Sequence, residues 1–468
     1  MATVFHHAPT THTLWLRGAL AVLMVLPLLA AQSRAATMQA WRAGTARAKI
    51  TPTTPLWLAG FGGRTHPATG TLHDLWLKVL ALQAPDGQRA VVVTSDLEGL
   101  PKPMYERIVG QVAQRCGLAR AQLMLTISHS HTAPVLSDLE QDLYPMNAEQ
   151  ARHVADYSRS LETTIVAKVA EALANLSPAT LAAGTGTADF AVNRRNNPEA
   201  DVPKLRAEGK LKGPVDHSVP VLAVRAPDGT LRAVVFGYSC HCTTLSGYDT
   251  SGDYAGFAQL TIEQRHKGAQ AMFTQACGGD QNPLPRRTLA LCQDYGNRLA
   301  TAVEHTLTKP MRPLAPRLTT RFAFVDIPFA SVPTAAHLRA AAKKGGYHGR
   351  WGRRLLKQLE AGTAFPTAYP YPVQAWTLGD QLWIALGGET VVDYALTLKA
   401  RYGPRTWVNG YANDVMAYIP SHRVWKQGGY EAGAFVAFGM PALQWAEDIE
   451  QRIADTVDQL VRDRSPSK

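Results

Sequence analysis

The sequence predicts an α/β protein in which mixed β-sheets are flanked by helices within a single large domain. Three observations support this prediction. Short apolar runs rich in β-branched residues stop at polar residues or glycines, amphipathic segments alternate with those runs, and no repeat or low-complexity linker divides the chain. Such runs are typical of strands covered on both faces, and their alternation with helices favours an α/β architecture. With 468 residues, 46% of them hydrophobic, the chain is long enough for a large core.

The first element is predicted to be a secretory signal peptide over residues 1–35. Arg17 precedes an apolar run at 20–30, and small residues follow at the usual cleavage positions. The run is short for a membrane span, although an uncleaved N-terminal anchor is the alternative interpretation. We therefore expect an exported protein, periplasmic or secreted, with one large domain over residues 36–468.

Five strands are predicted from apolar runs that end beside a side chain suited to metal binding or acid–base chemistry. The runs are 91–95 before Asp96, 123–128 before His129 and His131, 233–239 before Cys240 and His241, 271–275 before Cys277 and Asp280, and 382–386 before Glu389. In sheets covered on both faces, strand ends converge on a crevice where ligands bind. The sequence therefore predicts that these side chains meet in one metal-dependent site.

Helices are predicted between the strands wherever apolar residues recur at three- and four-residue spacing. Three such segments are 103–118, 147–176 and 288–306, and a C-terminal helix is predicted over 441–462. Turns rich in glycine, proline and asparagine separate the elements.

The net charge of +11 is concentrated between Arg339 and Lys357, a stretch opposed only by Glu360 and interrupted by glycines. Nucleic acid is not an expected partner, because export removes the chain from it. A flap over the crevice or peripheral contact with anionic membrane lipids suits this stretch better, and a plain basic surface loop is the simplest alternative. The oligomeric state stays open.

The five cysteines do not form a recognisable zinc-binding or disulfide framework. Cys240 and Cys242 flank His241, but no second closely spaced cysteine pair accompanies them. An odd number of cysteines leaves at least one thiol free. We expect small buried residues or a single disulfide.

His129 and His131 are the first candidate metal ligands. Two residues apart on a strand end, their side chains are expected to point to the same side, so that one can bind metal while the other serves as a base or acid. His241 and Glu389 also follow apolar strands. Histidine and carboxylate together, with an open position, are the ligands of catalytic zinc.

Three further residues are candidates from their position after strands or in glycine-rich turns. Tyr418 follows the segment 407–417 and is placed to reach inward as a fourth ligand. Asp253 and Asp280 lie in glycine-rich turns. Each is a candidate catalytic carboxylate, a candidate ligand of a second cation, or a cap of the helix that follows.

Ordered motifs between about residues 41 and 450 resemble the catalytic N-terminal domain of the neutral/alkaline non-lysosomal ceramidase family. The opening strand and turn at 43–52 are similar to those of the family. The other motifs are Ser128-His129-Ser130-His131-Thr132-Ala133-Pro134, Asn193-Arg194, Cys240-His241-Cys242-Thr243-Thr244 with Ser251-Gly252-Asp253, Gly388-Glu389-Thr390, and Asn413 to Tyr418 with Gly429-Tyr430-Glu431.

The resemblance implies one zinc ion per chain and leaves a second cation open. It implies His129, His241, Glu389 and Tyr418 as the zinc ligands and His131 as the proton shuttle. Arg194 and Tyr430 would polarise the scissile carbonyl and hold the oxyanion. Asp280 completes the set of predicted catalytic residues.

Three departures from the family pattern bear on the substrate. The family serine in the segment after Asp280 is Asn282, and the first tyrosine of its YxxY motif is Val415. The sequence also ends soon after the catalytic domain, so we expect no C-terminal immunoglobulin-like domain of the kind found in the family. The first departure favours direct attack by zinc-bound hydroxide without an acyl-enzyme. We therefore predict an exported zinc amidohydrolase acting on a linear amide such as an N-acyl sphingosine or another N-acyl lipid. The alternatives are a metal hydrolase of an ester or phosphoester, favoured by the basic stretch, and a catalytically degenerate lipid-binding protein.

Overall fold

Two mixed β-sheets, one of nine strands and one of five, carry the elements that position the predicted site residues. The computed structural model describes residues 1–6 and 40–462. From Trp41 onward the chain forms one compact unit. The predicted α/β class with mixed sheets and flanking helices is confirmed.

The strands alternate with helices along the whole of this unit. In chain order the strands are β1 Trp41–Lys49, β2 Gly70–Thr71, β3 Trp76–Gln83, β4 Arg89–Ser95, β5 Leu123–Ile127, β6 Ser177–Thr187, β7 Ala191–Asn193, β8 Ser218–Arg225, β9 Leu231–Tyr238, β10 Asp249–Thr250, β11 Gln270–Gln275, β12 Gln281–Pro283, β13 Arg312–Pro313, β14 Leu318–Ser331, β15 Ala368–Leu378, β16 Gln381–Leu386, β17 Glu389–Thr390, β18 Trp407–Asn409, β19 Tyr418–Ile419 and β20 Gln444–Trp445. The α-helices are α1 Lys102–Cys116, α2 Ala148–Ala174, α3 Val202–Ala207, α4 Asp253–Arg265, α5 Leu289–Leu307, α6 Ala335–Ala342, α7 Gly346–Glu360, α8 Asp393–Tyr402, α9 His422–Gln427, α10 Tyr430–Gly433 and α11 Ile449–Arg462.

The large sheet runs in the order β11-β9-β8-β6-β1-β3-β4-β5, with β13 beside β6. Its outer pairs β4–β5 and β9–β11 are parallel, and the pairs between them are antiparallel. The smaller sheet runs β18-β16-β15-β14-β20, with β16 and β18 parallel. Mixed pairing lets strands from both sheets end on the same side, which brings their carboxyl ends together.

Alternating residues of each strand pack into different layers, as the period of two requires. In β3, Val79 faces a core shared with helices α1 and α2, whereas Leu80 faces a core that also contains Trp376 and Trp383 of the second sheet. Ile384 of that sheet faces a third core with α8 and α11. The two sheets therefore pack face to face between outer layers of helices.

All five runs predicted as strands are strands, and the predicted helices lie at α1, α2 and α5 within a few residues of their expected ends. The C-terminal helix differs, because it begins at Ile449 rather than at 441. The residues before it form β20, and Trp445 pairs with Phe329 of β14 and is fully buried. Burial of this indole in the third core, beside α8 and α11, outweighs the continuation of a helical pattern.

The basic stretch predicted as a flap or loop forms the two helices α6 and α7. Gly352, read from the sequence as a helical break, lies inside α7. A Cβ atom there would lie 2.6 Å from the backbone nitrogen of Ala342, so glycine allows the two helices to approach closely. A glycine at such a contact marks close packing instead of a helix end.

The predicted signal peptide lies, apart from its first six residues, outside the described residues and stays a prediction. None of the described helices is long and apolar enough to cross a bilayer. All five cysteines are free thiols, and all except Cys116 are buried. The interpretation of four of them as small buried residues is therefore confirmed.

Candidate active site

Four of the predicted site residues come from strand ends of two different sheets. His129 and His131 follow β5, and His241 follows β9, all in the large sheet. Glu389 lies on β17, directly after the second sheet's β16, and is paired in register with Tyr418 of β19. All five side chains are buried. The strand ends that carry these side chains therefore lie together, and both sheets contribute to the cluster.

The ligand-type atoms of these side chains lie close enough to share one cation. Oε2 of Glu389 lies 2.9 Å from Nε2 of His241 and 3.3 Å from Nε2 of His129. Nε2 of His131 lies 3.0 Å from Nε2 of His129, and the Tyr418 hydroxyl lies 3.3 Å from Nε2 of His241. His131 therefore belongs to the same group of candidate ligand atoms as His129 and His241.

Hydrogen bonds on the far side of two rings set their tautomers. Nδ1 of His129 lies 2.6 Å from the Glu98 carbonyl oxygen, and Nδ1 of His241 lies 2.7 Å from the Gly278 carbonyl oxygen. A carbonyl oxygen only accepts, so both Nδ1 atoms carry a proton, and the Nε2 atoms face the centre of the cluster. Metal-binding histidines are held in this way by their second nitrogen.

Burial and neighbouring charges shift the pKa values of three side chains in the cluster. Burial, followed by the charge of Arg194, lowers the pKa of His241 to about 4. Burial and the neighbouring His129 lower the pKa of His131 well below its usual range. Burial alone would raise the pKa of Glu389, but His129 and His241 hold it well below its usual range. Buried imidazoles beside a carboxylate form a donor set that fits Zn²⁺.

The two histidines of the HxH motif meet by a different route from the one predicted. His129 does not continue the strand: its backbone lies in the left-handed region at φ 57°. His131 then packs against Gly60, where a Cβ atom would lie 2.2 Å from Nδ1 of His131. That Nδ1 has no partner in the described part of the chain. A free second nitrogen leaves the ring of His131 available for proton transfer.

Arg194 joins the cluster through Tyr418. Its Nη2 donates to the Tyr418 hydroxyl at 3.0 Å, and its Nε donates to Glu431 at 2.7 Å. Tyr430 stacks edge-on against Tyr418, with 5.3 Å between ring centroids, and is 56% exposed. The structure therefore places Arg194 and Tyr430 together beside the candidate metal ligands, where the two could contact a substrate carbonyl.

Asp280 and Asp253 are both buried and hold backbone in place. Asp280 accepts hydrogen bonds from the side chain of Asn193 and from the Val392 backbone nitrogen, each at 2.9 Å. Asp253 accepts from the Leu245 backbone nitrogen at 2.8 Å. Asp280 thus lies behind the turn that carries Arg194, and its predicted catalytic role stays a prediction.

Several residues of the site were not singled out from the sequence. Glu98 places Oε1 3.6 Å from Nδ1 of His129, and Tyr411 places its hydroxyl 3.3 Å from Glu389. Glu140 accepts from the Gly60 backbone nitrogen at 2.8 Å, and burial raises its pKa to about 7. Glu98 follows β4 closely and could have been found as another strand-end carboxylate. Glu140 and Tyr411 carry no comparable local signal.

Comparisons with known proteins identify a family for the chain and two solved structures with a similar fold. The family model described as neutral/alkaline non-lysosomal ceramidase, N-terminal, matches residues 41–328. Among solved structures, neutral ceramidase from Pseudomonas aeruginosa is similar, with a TM-score of 0.70 and 18% identity over 92% of this chain and 76% of that chain. A ceramidase complexed with C2 is similar at a TM-score of 0.69 and 19% identity, with the same coverage. None of the curated proteins matches the sequence significantly.

Proposed function

Since the chain belongs to the neutral/alkaline non-lysosomal ceramidase family, we propose that it is an exported zinc-dependent amidohydrolase. Its substrate would be the linear amide of an N-acyl sphingosine or a related N-acyl lipid. The observation that best supports this proposal is the convergence of three buried imidazoles and the Glu389 carboxylate, with the guanidinium of Arg194 beside the Tyr418 hydroxyl. Membership of the family supports a hydrolase of ceramide amide bonds, and the donor set supports zinc.

One zinc ion would be held by His129, His241, Glu389 and Tyr418. When bound, zinc lowers the pKa of a water molecule and polarises a carbonyl group. Burial raises the pKa of Tyr418 well above its usual range, and Arg194, at hydrogen-bond distance from the hydroxyl, opposes this shift by favouring the anionic form. Such an arrangement suits a tyrosine that has to give up its proton.

The chain's own residues would bind and orient the amide. Arg194 and Tyr430 would donate to the carbonyl oxygen, and preorganised donors of this kind stabilise the charge that develops there. His131, whose Nε2 faces the candidate metal ligands, would carry a proton to the leaving amine. Asp280 would act by holding Asn193 and hence the turn of Arg194.

Asn282 has no hydroxyl to attack a carbonyl, so an acyl-enzyme at this position is not expected. Its Oδ1 instead accepts from Nη1 of Arg194 at 3.3 Å. Water would therefore attack the carbonyl carbon directly, without an acyl-enzyme. His131 would be the side chain that takes up the proton of this water.

Contact with a membrane surface is part of the proposal. Five exposed cations of α6, α7 and their connection form no ion pair with any other described residue. They are Arg339, Lys343, Lys344, Arg353 and Lys357. Arg354, by contrast, anchors α7 through Asp142. The free cations would face anionic lipid headgroups, from which an N-acyl lipid could be taken.

Release of free amine tests the proposed function. Purified protein is incubated with N-acyl sphingosines and simpler N-acyl amines, with zinc and after chelation. Release that zinc restores after chelation supports the proposal. A protein that holds zinc yet releases no amine from any amide would be assigned to ester or phosphoester cleavage, or to lipid binding.

A further inference from the structure

A cavity of about 520 Å³ opens beside the candidate active site, and several charged side chains line it. Arg194 and Tyr430 belong both to this cavity and to the surroundings of the candidate metal ligands. Arg195, Arg286 and Asn282 form part of its wall. An amide whose carbonyl contacts Arg194 therefore has one of its two substituents directed into this space.

The cavity wall carries more positive than negative charge. Its carboxylates are Glu431 and Glu199, and its guanidinium groups belong to Arg194, Arg195 and Arg286. Glu431 is shared between Arg194 and Arg195. Glu199 is shared between Arg286, at 2.7 Å, and Arg287 at the rim, at 3.9 Å. Four guanidinium groups thus share two carboxylates.

Several guanidinium N–H groups remain without a partner among the described residues. Arg286 uses Nε and Nη2 for Glu199, which leaves its Nη1 free. The side chain of Arg287 makes no hydrogen bond and lies over the ring of Phe61. Nε of Arg195 is buried and unpaired. Burial and the adjacent Arg286 lower the pKa of Arg287, as expected for two cations that share one carboxylate.

An acyl chain does not suit this wall. Hydrocarbon in the cavity would remove water from unpaired guanidinium N–H groups without replacing their hydrogen bonds, which is costly. An anion would supply acceptors in the planar geometry that arginine matches best. The amine part of the substrate, and not its acyl part, is therefore directed to this cavity.

We infer that the cavity is a subsite for an anionic group, a carboxylate or a phosphate, on the amine portion of the substrate. N-acyl amino acids or N-acyl amino phosphates would then be preferred over neutral N-acyl lipids, which would also be substrates. This inference rests on the proposed function for the identity of the bond cleaved, but the binding site itself does not require turnover. Glu199 occupies the subsite in the free protein and would be displaced from Arg286 by the ligand.

Calorimetry with uncleavable sulfonamides tests the subsite independently of catalysis. The probes are N-octylsulfonylglycine, N-octylsulfonyl phosphoethanolamine and the uncharged N-octylsulfonylethanolamine, titrated into the zinc-loaded protein. We expect at least one anionic probe to bind about ten-fold tighter than the uncharged probe, and the carboxylate and phosphate arms identify the preferred anion. Equal affinity for all three probes would overturn the inference.

Two variants with opposite expected effects on anion binding distinguish loss of the subsite from a general loss of folding. Arg286→Gln should remove most of the preference for the anionic probe, whereas Glu199→Gln should strengthen it, because the competing carboxylate is gone. Arg107→Gln is the matched control, since Arg107 binds Glu162 with the same two nitrogens on distant helices. If Glu199→Gln weakens the anionic probe, or Arg107→Gln acts like Arg286→Gln, no such subsite exists. Failure of amine release with a retained anion preference would instead count against the proposed function alone.

Discussion

Nε of Arg194 donates a 2.7 Å hydrogen bond to Oε1 of Glu431, a residue 237 positions away in the chain. The other oxygen of Glu431 accepts from Arg195. The carboxylate thus fixes the guanidinium that also contacts Tyr418. Glu431 acts through Arg194, and its role is to position that side chain beside the candidate metal ligands.

Removing the charge of Glu431 should therefore impair catalysis more than substrate binding. Glu431→Gln keeps the shape but weakens the hold on Arg194, and we expect kcat to fall about 10- to 100-fold with little change in KM. Steady-state kinetics on an N-acyl sphingosine measures both. Glu162→Gln, which loosens the comparable pair with Arg107, should leave kcat unchanged. A fall in the melting temperature without a fall in kcat would make Glu431 a purely structural residue.

Metal content should separate the ligands from the proton carrier. His241→Ala and Glu389→Ala remove atoms that lie 2.9 Å apart at the centre, and both variants should lose zinc and activity together. His131→Ala should retain the metal and lose roughly 10²–10⁴-fold in turnover. Zinc per chain is measured by elemental analysis of purified protein. Loss of zinc from His131→Ala would make His131 a ligand as well, since its Nε2 lies 3.0 Å from Nε2 of His129.

The stability of the protein should depend on the protonation of Asp414. Burial raises the pKa of this carboxyl to about 7 from an ordinary value of 3.8. The native state holds the proton between these values while the unfolded state has released it. The contribution to the free energy of unfolding is therefore full below about pH 4 and is lost as the pH rises through 7.

Asp414→Asn should remove this dependence, because the amide stays uncharged and can still accept the hydrogen bond from Tyr369. Relative to the variant, the wild type should lose on the order of 2 kcal/mol of unfolding free energy between pH 5 and pH 8. Urea denaturation at both pH values measures the difference. Parallel pH profiles would show that Asp414 is ionised in the native state.

The same substitution at two helical glycines should have opposite effects. Gly352→Ala places a methyl group 2.6 Å from the backbone of Ala342 and should destabilise the α6–α7 pair by about 1–3 kcal/mol. Gly110→Ala in α1 meets no atom within 4 Å and should stabilise by up to about 1 kcal/mol through helix propensity. Thermal unfolding followed by circular dichroism compares the two. Stabilisation by both would mean that α6 and α7 can move apart freely.

Anionic vesicles should bind through the free cations of α6 and α7. Replacing Lys343 and Lys344 with serine should weaken binding to phosphatidylglycerol-containing vesicles by roughly 1 kcal/mol per lysine. Sedimentation with vesicles measures the effect, and Lys309→Ser, an exposed lysine after α5, is the control. Equal losses at both places would indicate a general effect of net charge.

The sequence by itself predicted the strands and the candidate ligands that follow them. Burial on both faces of a strand leaves a continuous apolar run, and a polar residue directly after that run is a local signal. His129, His241 and Glu389 were identified in this way, and the structure brings them together. The α/β class and the central helices were also predicted correctly, because the periodic spacing of apolar residues is a property of neighbouring residues in each segment.

Only the tertiary structure decided which side chains complete the site. Glu431, Tyr411 and Glu140 reach it from segments whose local pattern is that of ordinary turns. The left-handed backbone of His129 and the close approach of α6 and α7 at Gly352 likewise depend on packing between elements. Such features depend on how the elements pack against one another, and a contact between distant segments, such as that of Arg194 with Glu431, leaves no periodic trace in the sequence.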